Sequence, residues 1–277
     1  MTEHSHHARY CPYCGHPFSV RSLFCEGCGV KTTRTYIEQK ERPYPWSPAA
    51  SISMTLLAFS VATIGAGVLS LYFIVFFGVP LTIAAIESLT YDPLFFFLTI
   101  TIELTWIVIV VGFVLRSKAP LSRLGLASGG VQTSIKDIAY GLGAALAMVP
   151  LMLALVYYQL IAEGAGPPTT PPGSVEIFWL LMNCLAMMVM VAPAEEILFR
   201  GFLQNSLDAH YGNIAGLLAA SIIFGLGHMN PINGVLQTML GIILGLLFRM
   251  RGRRLLAPIT AHGVYNCLVI ILDTFFI

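Results

Sequence analysis

Three short patterns in the C-terminal third combine acids, imidazoles and an amide at helical spacing: Glu195-Glu196-x-x-x-Arg200, Phe224-x-x-x-His228 and His262-x-x-x-Asn266. Residues four apart share one face of a helix. Glu196 can therefore pair with Arg200, Phe224 stands beside His228, and His262 stands beside Asn266. A carboxylate, two imidazoles and an amide suit the activation of water. One Glu takes a proton from water. A His, or a metal held by His and Glu, steadies the nucleophile and the developing oxyanion. All three patterns end or interrupt apolar runs, where ionisable groups are costly and mark functional positions. Each has a plainer account when taken singly. A Glu–Arg pair is commonly a structural tie, a lone His in an apolar helix bonds to backbone, and Asn joins helices. Their conjunction favours a site. Glu103, in the middle of another apolar run, is a weaker candidate: it reads as a partner for buried polar groups, outside the site. Gly241 and Gly245 read as close helix packing.

The elements that must position these residues follow from a depth argument. The polar stretch Asp208-Ala-His-Tyr-Gly-Asn213 is a turn signal between two helices. With the tip of a helical hairpin at Tyr211–Gly212, Glu195 lies 16 residues before Tyr211 and His228 lies 17 after it. At about 1.5 Å per residue, both sit roughly 24 to 26 Å from the tip. His262 follows Arg254 by eight residues, or about 12 Å. Three helices can thus deliver Glu195, Glu196, His228, His262 and Asn266 to one layer. Asn230-Pro231 breaks the backbone at that depth, which is tolerable where it lines protein or a wet cavity.

Those helices belong in a membrane. Hydrophobic residues make up 56% of the 277 and charged residues only 10%, where soluble domains run near a quarter charged. Mean hydropathy is +0.78. The apolar residues fall in runs of about 20, long enough to cross a bilayer. Spans are expected near 49–78, 93–115, 135–161, 175–199, 213–229, 234–250 and 255–276, giving an all-α polytopic membrane protein of about seven membrane helices. No apolar signal region opens the chain. All 15 Lys and Arg fall into residues 1–48, the 116–136 region, Arg200, and the cluster Arg249, Arg251, Arg253 and Arg254. The loops at 79–92 and 162–174 carry none. Alternating loops across the bilayer places every basic region on one side. By the positive-inside rule that side is the cytosol, with the N-terminus inside. The expected location is a bacterial cytoplasmic membrane. A net charge of +1 gives no reason to expect nucleic acid as a partner.

The polar head has its own chemistry. Cys11-Pro-Tyr-Cys14-Gly and Cys25-Glu-Gly-Cys28-Gly form two C-x-x-C pairs ten residues apart, the signature of a zinc ribbon over 1–30. Four thiolates fill a tetrahedral ion, so the zinc is expected to be structural. The glycine after each pair permits the left-handed backbone that turns amides towards sulfur. Docking of a cytosolic partner, or regulation, is the expected role. Residues 31–48 read as a basic, Pro-rich linker ending at an interfacial Trp46, and 49–277 as the membrane domain. Cys184 and Cys267 read as small buried hydrophobes.

The three ordered motifs resemble those of the CPBP intramembrane proteases, which include the type II CAAX prenyl endopeptidases. The resemblance spans about 175–270. It implies a helical membrane fold with a conical cavity open to the cytosol, and endopeptidase activity on membrane-anchored or prenylated substrates. It implies Glu195 as general base with His228 as partner, Glu196 and Arg200 as supporting residues, and His262 and Asn266 as oxyanion stabilisers. Members are described both as metalloproteases and as metal-independent glutamate proteases, so it implies a water-activating site with or without a metal. Some bacterial members carry a zinc ribbon, and some act in bacteriocin self-immunity. Two other classes fit the composition. A non-catalytic scaffold or immunity protein would have no need of Glu195, His228, His262 and Asn266 together. A proton-coupled transporter is expected to show inverted repeats, and no convincing repeat is present.

Overall fold

A computed structural model of the chain describes residues 9–10, 17–18, 45–77, 93–126, 129–162, 173–228 and 231–276. Cys11, Cys14, Cys25 and Cys28 lie outside the described residues, as does most of the linker. What is described of the head is a two-residue antiparallel ladder, β1 (Arg9–Tyr10) with β2 (Pro17–Phe18), pairing Arg9 with Phe18 and Tyr10 with Pro17.

The rest is helical. The elements are α1 (Pro48–Phe77), α2 (Pro93–Arg116), α3 (Val131–Ala162), a composite rod α4 over residues 174–211, α5 (Asn213–Leu226), α6 (Pro231–Met250) and α7 (Leu256–Phe276). Five helices are long and apolar enough to cross a membrane, and two apolar ones, Asn213–Leu226 and Leu256–Leu272, are shorter. These helices make the chain an integral membrane protein. The seven expected spans correspond to seven helices, with two differences. The fourth span, expected to end at 199, continues as a rod to Tyr211. The fifth, expected over 213–229, stops at Leu226 after 14 residues, about 21 Å and short of a full crossing.

Local chemistry sets the helix ends. Ser47 caps α1, its Oγ accepting from the Ala50 amide at 3.1 Å, and Pro48 takes the first helical position, where a missing N–H costs nothing. The turn between α4 and α5 is Gly212 alone, at φ 84°. The helical hairpin therefore folds at the expected tip, although Asp208–Tyr211 remain helical. Outward faces of α1, α2 and α3 expose Ile64, Val108 and Leu146, as lipid-facing surfaces do. Trp46, expected at the interface, is instead buried against Phe202 and Phe113, with ring centroids 5.1 and 6.2 Å away. Its indole completes an aromatic core and so is withdrawn from the surface.

The rod α4 is the axis of the molecule. Every residue from Ile197 to Gln204 is buried. Two π-helical segments, Met187–Val191 and Ile197–Gln204, bracket the short α-helical piece Ala192–Glu196. Pro193 explains the first. A proline removes one intrahelical bond and crowds the carbonyl four residues back, here Val189, and a π turn opens the ladder at that point. The polar residues of the rod bond to backbone: Gln204 donates to Gly245 at 3.3 Å, and Asn205 to Arg123 at 3.2 Å and Gly201 at 3.0 Å. Around the rod, α3 packs along α7, α5 along α6, and α1 along α2. Gly241 and Gly245 do mark close packing: a Cβ at Gly241 would lie 3.1 Å from that of Ser221, and one at Gly245 would strike Leu217 and Gln204.

The arginines counted for topology also join the helices. The turn between α6 and α7 contains Gly252 and Arg253, both at positive φ. Asp137 on α3 pairs with Arg251 at 2.7 Å and Arg254 at 2.9 Å. Asp208 near the hairpin tip pairs with Arg249 and with Arg253, the latter at 3.0 Å. The Arg251 guanidinium also stacks 4.4 Å above the Tyr140 ring. Each aspartate thus collects two arginines, and one turn ties α3 to the hairpin.

Candidate active site

The adjacent glutamates of α4 point to different neighbours, because one helical step turns a side chain by about 100°. Glu196 is fully buried and forms an ion pair with Arg200, Nε to Oε2, at 3.2 Å. The pairing is one of charge rather than a directed hydrogen bond, and none of the three guanidinium nitrogens has a hydrogen-bond partner. The cation lies instead on aromatic faces, its Cζ 4.6 Å from the Phe224 centroid and 5.9 Å from that of Phe199, where ring quadrupoles attract it.

His262 enters from α7 and meets both carboxylates. Its Nδ1 lies 2.9 Å from Glu196 Oε1 and its Nε2 lies 3.7 Å from Glu195 Oε2. With Nδ1–H donating to Glu196, Nε2 faces Glu195, and one proton on either atom completes that contact. The approach is made possible by Gly263. A Cβ there would fall 2.7 Å from Met188 Sδ and 3.2 Å from Met188 Cα.

Glu195 is the more accessible glutamate, its side chain 12% exposed. It lines a cavity of about 170 Å³ with His228, Gly227, Phe59, Trp106, Phe199 and Phe224. Space of that size admits a few waters. His228 follows the end of α5 and donates or accepts through Nδ1 at the Phe224 carbonyl, 3.1 Å away. A carbonyl accepts only, so Nδ1 carries the proton and Nε2 keeps its lone pair. Glu195 and His228 line the same space without a direct ion pair, which leaves room for a water between a base and an imidazole. The walls are rings from four helices: Phe59–Trp106 at 4.6 Å, Phe199–Phe224 at 4.9 Å and Phe224–His228 at 5.1 Å. Such walls exclude bulk water and strengthen every charge interaction inside.

The structure therefore brings Glu195, Glu196, Arg200, Phe224, His228 and His262 together. Asn266 stands one turn beyond His262, half-buried, with its amide 3.9 Å from Met187 Sδ and on neither carboxylate. Phe59 and Trp106 were not foreseen; nothing in their own spans marks them. Glu103, set aside on sequence grounds, lies on the same helix as Trp106 and within electrostatic range of Glu195. Among the described residues no three His, Cys, Asp or Glu side chains converge on one ion position. A catalytic zinc takes three protein ligands, so these donors do not fit one as arranged.

No curated protein and no solved structure matches the chain. One family model does, over residues 177–268, about a third of the length and the stretch that holds all three motifs. Its description is type II CAAX prenyl endopeptidase Rce1-like, which supports kinship with the CPBP membrane proteases and, at the level of the family, a hydrolase.

Proposed function

We propose that the chain is a membrane-embedded endopeptidase that cleaves a membrane-anchored or prenylated peptide with a water activated by Glu195. The observation that carries this reading is the cavity shared by Glu195 and His228, two residues from different helices enclosed by aromatic rings. As the water oxygen attacks the scissile carbonyl carbon, its proton passes to Glu195. His228 orients the water through its free Nε2. His262 and Asn266 face the developing oxyanion, where a fixed donor contributes most. The proton on Glu195 then passes to the leaving amine. Glu196 and Arg200 hold His262 in place. No step requires a metal.

The mouth of the cavity and the N-terminal head face the cytosol in this reading, on the side of the basic clusters. Cys11, Cys14, Cys25 and Cys28 hold one structural zinc, and the ribbon docks a cytosolic protein or recruits substrate to the mouth.

The test is cleavage of a library of membrane-anchored peptides by the purified full-length chain in nanodiscs. Glu195→Ala and His228→Ala should each reduce turnover by at least about 10². Turnover unchanged in both variants would end the endopeptidase reading. Glu195→Gln should then retain the substrate and allow its identification.

A further inference from the structure

Glu103 occupies the middle of α2 and is 4% exposed, with Oε2 buried and without a hydrogen-bond partner. No ion pair reaches it among the described residues. Trp106, three residues on and on the same face, forms part of the wall of the Glu195 cavity. That wall is tight: the Trp106 ring sits 4.6 Å from Phe59 and 6.4 Å from Phe199. The helix carrying Glu103 packs directly on Ala192–Glu196, and Glu195 Oε2 is also buried without a hydrogen-bond partner.

The other charges near the pair are accounted for. Arg200 and Glu196 balance each other. His262 is held by Glu196 through Nδ1, and His228 is tied to the Phe224 carbonyl. That leaves two carboxyl groups in one apolar enclosure with no cation of their own. Ionising both is costly there, and paired carboxyls in such sites settle with one proton between them.

We propose that Glu103 and Glu195 hold a single proton, that Glu103 keeps it, and that Glu103 is a positioning residue for the base. The inference rests on the endopeptidase reading for its kinetic consequence, but not for its chemistry. The Glu103 O–H presents a neutral donor towards Glu195, leaving Glu195 as the one ionised carboxylate facing the cavity. During turnover the proton of water goes to Glu195 and on to the leaving amine, while Glu103 neither gains nor loses one.

The experiment is infrared difference spectroscopy of the full-length chain in nanodiscs at neutral pH, with Glu103→Gln and Glu195→Gln beside the parent. The parent should show the C=O stretch of a protonated carboxyl, absent in Glu103→Gln and shifted in Glu195→Gln. A spectrum without that band, or one in which it survives Glu103→Gln unchanged, overturns the proposal. The kinetic arm uses the acid limb of kcat/KM against pH. Glu103→Gln keeps a neutral donor and should keep the limb of the parent. Glu103→Leu removes the donor, raises the proton affinity of Glu195, and should move the limb up by about one pH unit, a tenfold loss on its acid side. Equal limbs in all three proteins also overturn the proposal, since a merely structural role would alter stability and not the limb. A parent that cleaves nothing ends the endopeptidase reading and leaves the infrared result to decide on the proton. A parent that cleaves but lacks the band ends only the proton proposal.

Discussion

Nδ1 of His262 lies 2.9 Å from Oε1 of Glu196, a contact between residues 66 apart in the chain. It joins α7 to α4 in the buried centre of the molecule. Because Glu196 also faces Arg200 at 3.2 Å, one carboxylate serves a cation on one side and an imidazole on the other.

Glu196→Gln should therefore be more damaging than its distance from the cavity implies. It leaves the guanidinium of Arg200 buried without a counter-charge, and breaking a buried pair from one side costs about 3–5 kcal/mol. Glu196→Gln combined with Arg200→Met should recover part of that stability. Thermal unfolding of the purified variants measures both. A single variant as stable as the parent would show that the pair does not hold the rod to α7.

Gly263 should tolerate no enlargement. In Gly263→Ala the new methyl would sit 2.7 Å from Met188 Sδ and 3.2 Å from its Cα, so α7 must retreat and take His262 with it. Misplacing a reactive group by about 1 Å costs roughly 10² in rate. Turnover should fall by that order, and adding Met188→Ala should restore part of it by removing the sulfur while the backbone contact stays.

Asp137→Asn should strand Arg251 and Arg254 together. Asp137 and Arg254 are both buried, so about 3 kcal/mol of stability should be lost. Limited proteolysis is the second readout: the turn at 251–254 should become the first site of cleavage. An unchanged unfolding temperature would reduce the four-arginine turn to a topological signal.

The orientation has a direct check. In the chain otherwise free of reactive thiols, Thr90→Cys and Thr170→Cys should be labelled by a membrane-impermeant reagent only from the non-cytosolic face. Labelling from the cytosol would reverse the topology and move the head away from the mouth of the cavity.

The head predicts a metal count. The full-length chain should contain one zinc, lost on Cys14→Ser, with cleavage in detergent retained because the ribbon is remote from the water-activating residues. A metal-free parent would end the ribbon assignment.

The position of the site along the helices was legible in the sequence because it needed only a rise per residue and a recognisable tip. Gly212 turns the hairpin, and equal distances from it put Glu195 and His228 on one cavity. Rotation about the helix axes was not legible. Whether His262 faces Glu195, Glu196 or both depends on how α7 lies on α4, and the π segments change that phase without any residue announcing it beyond Pro193. Glu103 looked isolated because a single span gives depth and not neighbours. The same limit hid Phe59 and Trp106, apolar residues in apolar helices whose role comes only from the helix opposite. Arginines counted as a charge asymmetry proved to be joints, since Asp137 and its partners lie more than a hundred residues apart in the chain.

The π segments on either side of Glu195–Glu196 make the length of α4 as consequential as its composition. Each π turn takes up one residue more than an α turn, so losing one residue there would let the helix tighten and rotate all that follows by about 100°. Asp208 would swing away from Arg249 and Arg253, and Gly201 away from the Leu124 carbonyl it lies against. The stretch from Met187 to Gln204 can exchange side chains of like size, but it is in effect a ruler that cannot be cut, and two surplus residues hold the catalytic face and the hairpin tip in register.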